Sequence, residues 1–128
     1  MSQTTTLILL PETTYVNPGN GASYTVTGNS QPAAGFYIGH KSLQTVNVKL
    51  TDVTGNILVQ ATLASTPVDA DWFTVYSLQA NAEAPAKSAS LLASDANLFT
   101  NIEGNFVSIR AQVNDFKNGT VNYIKLSY

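Results

Sequence analysis

The chain contains no cysteine. This excludes disulfides, thiolate nucleophiles and cysteine metal sites, and the fold cannot depend on an oxidising compartment. Charge is also scarce, because only 11% of the residues are charged and the net charge is −2, whereas an average globular domain has roughly 25% charged residues. The six Lys and Arg residues are spread thinly and form no basic patch. We therefore expect no nucleic-acid partner.

Long apolar runs are missing as well. The run from Leu7 to Leu10 is short, no basic residue precedes it, and Pro11 ends it. A secretory signal peptide needs a longer apolar stretch with a positively charged start, and a membrane-spanning helix needs about 20 apolar residues. We therefore expect a protein that is made in the cytoplasm and does not enter a membrane.

What the sequence does contain is a recurring strand pattern. Hydrophobic residues make up 44% of the chain, and the polar positions between them are mostly Thr, Ser, Asn and Gln, which suit strands and turns. This pattern predicts an all-β fold, a single antiparallel β-sandwich of jelly-roll-like or immunoglobulin-like type with roughly eight to ten strands. One domain covers residues 1–128, with residues 1–6 as a flexible N-terminal arm. The predicted strands are residues 6–10, 22–27, 35–39, 43–51, 57–63, 71–78, 88–92, 98–102, 105–113 and 121–128.

Two groups of turn-forming residues interrupt the clearest alternation. Thr54-Gly55-Asn56 predicts the turn of a hairpin between residues 43–51 and 57–63, and Lys117-Asn118-Gly119-Thr120 predicts a turn before the last strand. The alternation also predicts which side chains face the core. On this basis, the inward residues are Val46, Val48, Leu50, Ile57, Val59, Ala61, Leu63, Val107, Ile109, Ala111, Val113, Ile124 and Leu126.

Residues that could carry chemistry are few. His40 is the only histidine, and a metal site would need further ligands that the chain lacks. Asp69 and Asp71 are the only close carboxylate pair; a calcium site would need about 6–8 oxygen ligands, so we interpret the pair as part of a turn. No Gly-x-Ser-x-Gly motif or phosphate-binding glycine loop occurs. We predict no catalytic residues, no metal, no cofactor and no enzyme activity.

The aromatic residues and the single arginine are the remaining candidates for function. Trp72 and the six tyrosines fit either a core, a subunit interface or a sugar-stacking platform. Arg110 is the only arginine and is predicted to face outward, where it would either contact a partner or pair locally. We predict Arg110, Trp72 and Tyr128 as interface residues.

Three stretches carry a resemblance to a known family. The pattern of a strand, a tryptophan and then a Gly-Asn-Phe strand leading to Ile-Arg-Ala is moderately specific as a combination. The stretches are Ala33–Tyr37 with Leu43–Val46, Gln60–Pro67 with Asp69–Phe73, and Ile102–Ala111 with Gly119–Val121 and Lys125–Tyr128. On these residues, which span most of the chain from about residue 22 onward, the sequence resembles small virion structural proteins of tailed bacteriophages of the marine and cyanophage type.

The resemblance implies a β-sandwich subunit located in the virion. The expected role is a head decoration or cement protein that binds the major capsid protein and neighbouring copies, or else a neck, tail or baseplate component. The resemblance brings no catalytic motif, and we expect a homo-oligomer, with a trimer favoured. Two other hypotheses remain, namely a carbohydrate-binding module for host adsorption and, with the least support, a hydrolase.

Overall fold

A computed structural model describes residues 6–35, 43–80, 91–92 and 96–128. The described residues are nearly all β, which confirms the predicted class, and their nine strands fall within the expected number. The predicted strand at 35–39 is described only at Gly35, and His40 lies outside the described residues. The predicted arm is described only at Thr6. The strands are β1 (Thr6–Leu10), β2 (Thr13–Thr14), β3 (Tyr24–Thr27), β4 (Gln31–Pro32), β5 (Leu43–Thr62), β6 (Phe73–Ala80), β7 (Leu91–Leu92), β8 (Ala96–Glu103) and β9 (Ser108–Ser127).

Two strands of 20 residues each, β5 and β9, organise the sheet. They pair antiparallel along nearly their whole length, from Thr45 opposite Ser127 to Thr62 opposite Ser108. We call the part built on residues 43–51 and 120–127 the first half-sheet, to which β1, β2 and β8 are attached. The second half-sheet is built on residues 53–62 and 108–116 and carries β3, β4 and β6, with β7 parallel to β6.

A crease separates the two half-sheets. Asp52 on β5 and Asp115 on β9 both have a φ of 55°, and the pairing register shifts around residues 51–56. Such bulges insert extra residues and bend a strand. The buried side chains occupy even positions before the crease of β5 and odd positions after it. The bulge therefore keeps the apolar side chains facing one interior although the chain bends.

The two predicted turns are wrong. Thr54–Asn56 lies within β5, residues 117–120 lie within β9, and Thr54 is opposite Asn118 across the sheet. The turn-forming residues therefore produce the crease instead of a chain reversal, since residues that tolerate positive φ serve both purposes. The inward prediction for Leu63 is also wrong, because β5 ends at Thr62 and Leu63 is 65% exposed.

The buried hydrophobic side chains of the two half-sheets form one core, as in a sandwich. On one side, the Asn29 N–H donates to the Leu9 carbonyl at 2.8 Å and so connects the segment after β3 to β1. Each fully buried aliphatic side chain contributes about 1.5–3 kcal/mol. The largest fully buried side chains are Phe116, Leu9, Leu50, Ile57, Ile109, Ile124, Leu126, Gln44, Val46, Val48, Val53 and Val59.

Among the described residues, no helix is long and apolar enough to cross a membrane.

Candidate binding sites on the two outer faces

The outer face of the second half-sheet carries Arg110. Its neighbours Ile109 and Ala111 are fully buried, so the alternation of β9 directs Arg110 away from the core. Gln60 lies directly opposite Arg110 on β5, and opposite residues of an antiparallel pair share a face. This placement agrees with the predicted outward position of Arg110.

Four side chains form what we call the arginine cluster, namely Arg110, Gln60, Trp72 and Asp69. Arg110 Nε donates to Gln60 Oε1 at 2.8 Å, and its guanidinium carbon lies 4.5 Å from the centre of the Trp72 ring. Its NH1 lies 3.7 Å from Asp69 Oδ1. Only 13% of the Arg110 side chain is exposed, although it lies on the outer face. The guanidinium is therefore held by a hydrogen bond, a cation–π contact and an ion pair.

A short 3₁₀ turn at Asp69–Asp71 positions the tryptophan. Asp71 Oδ2 accepts a hydrogen bond of 2.9 Å from the Val68 N–H, and this closes the turn with a side chain. Trp72 follows the turn directly and precedes Phe73, which lies opposite the buried Ala61. The carboxylate pair thus has the turn role expected from the sequence, and it sets Trp72 over Arg110.

The outer face of the first half-sheet is organised differently. Its hydroxyl and amide side chains bond mainly to one another, as in Thr45 Oγ1 to Asn101 Oδ1 and Thr51 Oγ1 to Asn122 Oδ1, both 2.8 Å. Two lysines lie on this face, Lys49 opposite Tyr123 and Lys125, whose Nζ is 4.1 Å from the centre of the Tyr123 ring. These cross-strand pairs hold the sheet together.

Apolar side chains are nevertheless exposed on this first outer face. Phe99 on β8 is 73% exposed and lies opposite Asn47, which lies opposite Lys125. Ile8 on β1, 37% exposed, lies on the far side of Lys125 and completes a row across four strands. We call this row, with the 49% exposed Leu43, the Phe99 face.

The predicted interface residues are distributed unevenly. Arg110 and Trp72 are in contact, whereas Tyr128 is only 4% exposed and its hydroxyl donates to the Pro32 carbonyl at 2.8 Å. The interface role of all three stays a prediction. Sequence reasoning missed Gln60 as a partner of Arg110, and it missed Phe99, whose outward position was signalled by its parity against Leu98 and Ile102.

Among the described residues, no cluster of three or more His, Asp or Glu side chains is arranged to hold a metal ion.

The comparisons with known proteins found little similarity. No family model matches the chain, and no curated protein matches it. A solved structure of a family 29 carbohydrate-binding module from Piromyces equi is similar over 98% of this chain and 91% of that chain, with 12% identity and a TM-score of 0.45. A likeness at this level does not bear on what this chain binds.

Proposed function

We propose that the chain is a non-enzymatic structural subunit of a tailed-bacteriophage particle, held there by contacts with other virion proteins and with further copies of itself. The observation that carries the proposal is the Phe99 face, where a large aromatic side chain is 73% exposed on a regular strand. The resemblance of the sequence to small virion proteins supports the same role. A head decoration protein bound to the capsid lattice is the specific form that we favour over a neck or tail component.

Strand β8 has the properties of a docking edge. It pairs with β5 through eight consecutive residues without a bulge, and among the described residues β5 is its only partner. Its sequence contains no lysine and no proline, and its single charged residue is Glu103 at the end of the strand. Natural edge strands usually carry such features, which prevent pairing with another chain. Their absence here favours the addition of a strand from a neighbouring subunit.

The low charge of the chain fits a subunit that is used many times. Only 11% of the residues are charged, which gives a free monomer weak protection against association. On a symmetric particle, several modest contacts per subunit add up through avidity. A small uncharged sandwich can therefore remain bound without one large interface.

The proposal is tested on particles of a phage that encodes this sequence. Quantitative mass spectrometry of purified virions should find the chain in a fixed ratio to the major capsid protein. Recombinant chain should bind particles that lack it, and Phe99→Ser should bind at least about tenfold more weakly, since a central exposed aromatic residue typically dominates an interface. The matched control is Gln112→Ser on the other outer face, which should bind normally. Absence of the chain from virions, despite its presence in infected cells, would contradict the proposal.

A second candidate function is carbohydrate binding, as in adsorption to a host surface. The specific observation that favours it is the contact of Arg110 with Trp72, because a partly exposed tryptophan beside polar groups is suited to a sugar ring. The two functions use different faces, and both can belong to one virion protein.

A further inference from the structure

We propose that the arginine cluster binds a neutral carbohydrate, which stacks on Trp72 and is hydrogen-bonded by Arg110, Gln60 and Asp69. This inference rests on the second candidate function and specifies its site and ligand class. Arg110 covers one face of the indole ring at 4.5 Å. The sugar ring is placed against the part of the partly exposed indole that Arg110 leaves uncovered.

The polar groups of the cluster match sugar hydroxyls, each of which both donates and accepts hydrogen bonds. Arginine has five N–H donors in a fixed fork, and Nε is the one directed to Gln60. The Gln60 carbonyl oxygen is thereby engaged, and in the proposed complex the Gln60 amide group donates to a sugar hydroxyl. Asp69, whose side chain is fully exposed, supplies the acceptor oxygens beside the fork. Adjacent hydroxyls can therefore meet a donor and an acceptor together.

The cluster is also ordered before any ligand arrives. The Arg110 side chain is 13% exposed and has three partners, so its conformation is largely fixed. Binding then costs less side-chain entropy than it would for a mobile surface arginine. Beside the cluster, the Gln112 amide donates to the Thr27 hydroxyl at 3.0 Å, which adds a second polar row on the same face. A chain of several sugars can extend onto this row, because Gln112 is two residues from Arg110 on β9, about 6.6 Å along the strand.

Charge selects a neutral ligand over an acidic one. Arg110 is accompanied by Asp69 and by Asp71 in the adjoining turn, so carboxylates outnumber cations among the described residues of the site. The neighbouring outer-face residues, Gln60, Gln112 and Thr27, are uncharged. An acidic polysaccharide would meet like charge there, and like-charge contacts suppress binding.

The experiment is affinity electrophoresis of the full 128-residue chain in gels containing neutral polysaccharides (a glucan, a mannan and a galactan) or acidic alginate, followed by calorimetry with the best of them. We expect retardation by at least one neutral polysaccharide and none by alginate. Trp72→Ala should weaken binding at least about tenfold, which corresponds to about 1.4 kcal/mol. Asp69→Asn should weaken it several-fold without altering the melting temperature, because Asp69 is on the surface. Phe99→Ser, on the other outer face, is the matched control and should bind normally.

The outcomes separate the ligand class from the function itself. A preference for alginate, or neutral binding that survives both Trp72→Ala and Asp69→Asn, would overturn the proposed site while carbohydrate binding as a function survives. No retardation by any polysaccharide would overturn both. If Trp72→Ala melts at a lower temperature than the wild type, the decision rests on Asp69→Asn. Association with virions is measured independently and is affected by none of these results.

Discussion

The two outer faces differ although they are built on the same two strands. On the first half-sheet, Phe99 is 73% exposed on β8, and the polar side chains around it are hydrogen-bonded, Thr45 to Asn101 and Asn47 to the Leu98 carbonyl. On the second, Trp72 lies against a largely buried arginine. An aromatic side chain among mutually satisfied polar groups offers apolar contact area, as a protein partner requires. An aromatic side chain fixed beside a hydrogen-bonding fork suits a small polar ligand.

The cations of the two outer faces, Lys125 and Arg110, differ in how rigidly they are held. Lys125 lies 4.1 Å from the Tyr123 ring centre, and Arg110 lies 4.5 Å from that of Trp72. The planar guanidinium combines its ring contact with a directed bond to Gln60, whereas an ammonium group acts as a hydrated point charge. The second outer face therefore has the more rigid cation, and this difference can be measured.

The largest expected effect is the loss of the folded domain, and with it of both outer faces. Ile109 is fully buried, so Ile109→Asp places an unpaired charge in the core that both half-sheets share. We expect a loss of more than about 4 kcal/mol in the free energy of unfolding, with no cooperative melting transition. Gln112→Asp on the same strand, but on the outer face, is the control and should melt normally. A soluble and cooperatively melting Ile109→Asp protein would show that the assignment of inner and outer faces is wrong.

The next effect concerns the crease that separates the faces. Gly119 has a φ of +79°, and a Cβ at this position would collide with the carbonyl oxygens of Thr51 and Asp52 on the neighbouring strand. We expect Gly119→Ala to lower the free energy of unfolding by about 2–3 kcal/mol in urea denaturation. Gly21 has a similar φ of +71°, but among the described residues no atom beyond its two chain neighbours lies within 4 Å of the place that a Cβ would occupy. Gly21→Ala therefore measures the cost of φ alone, and equal losses in the two variants would argue against a tightly packed crease.

A third measurement compares the two cation–π pairs. In double-mutant cycles, Arg110 and Trp72 should show a coupling of about 1 kcal/mol, because the arginine is largely desolvated. Lys125 and Tyr123 should show about 0.5 kcal/mol or less, because an ammonium group retains much of its hydration. Chemical denaturation of the single and double alanine variants gives both values. A larger coupling for the lysine pair would reverse the proposed difference in rigidity.

The smallest expected effect on stability is at Phe99. Since this side chain is mostly exposed, Phe99→Ser should change the free energy of unfolding by less than about 0.5 kcal/mol. Phe106 packs partly buried against the core, with Phe73 5.9 Å away, centre to centre. Phe106→Ser should cost about 2 kcal/mol by comparison, since it empties a packed site. Equal losses would mean that Phe99 stabilises the fold and is not kept for a partner.

Local pattern was sufficient for the fold class and for the inner face of most strands. It predicted β1 with its observed bounds and placed Val46, Ile57 and Ile109 in the core. It failed where one residue type serves two geometries. Asn and Gly around Gly55 and Gly119 are typical of hairpin turns, yet here they allow two long strands to bend side by side.

Pairing between distant segments is what local pattern does not contain. Thr54 lies opposite Asn118, and Gln60 lies opposite Arg110. The alternation of polar and apolar residues within a strand does not predict which distant residue lies opposite it. For this reason Arg110 and Trp72 were identified separately as candidates, whereas their contact follows only from the order β9, β5 and β6 in the sheet. Sequence reasoning thus found two members of the arginine cluster without predicting the cluster.

The dependence of the sheet on its last strand has a consequence for biosynthesis. Among the described strands, five others pair directly with β9. A nascent chain therefore cannot complete either half-sheet until β9 has been synthesised, and folding depends on slow, long-range pairing. Truncation within β9 should leave a chain that is degraded or aggregates instead of a shortened domain.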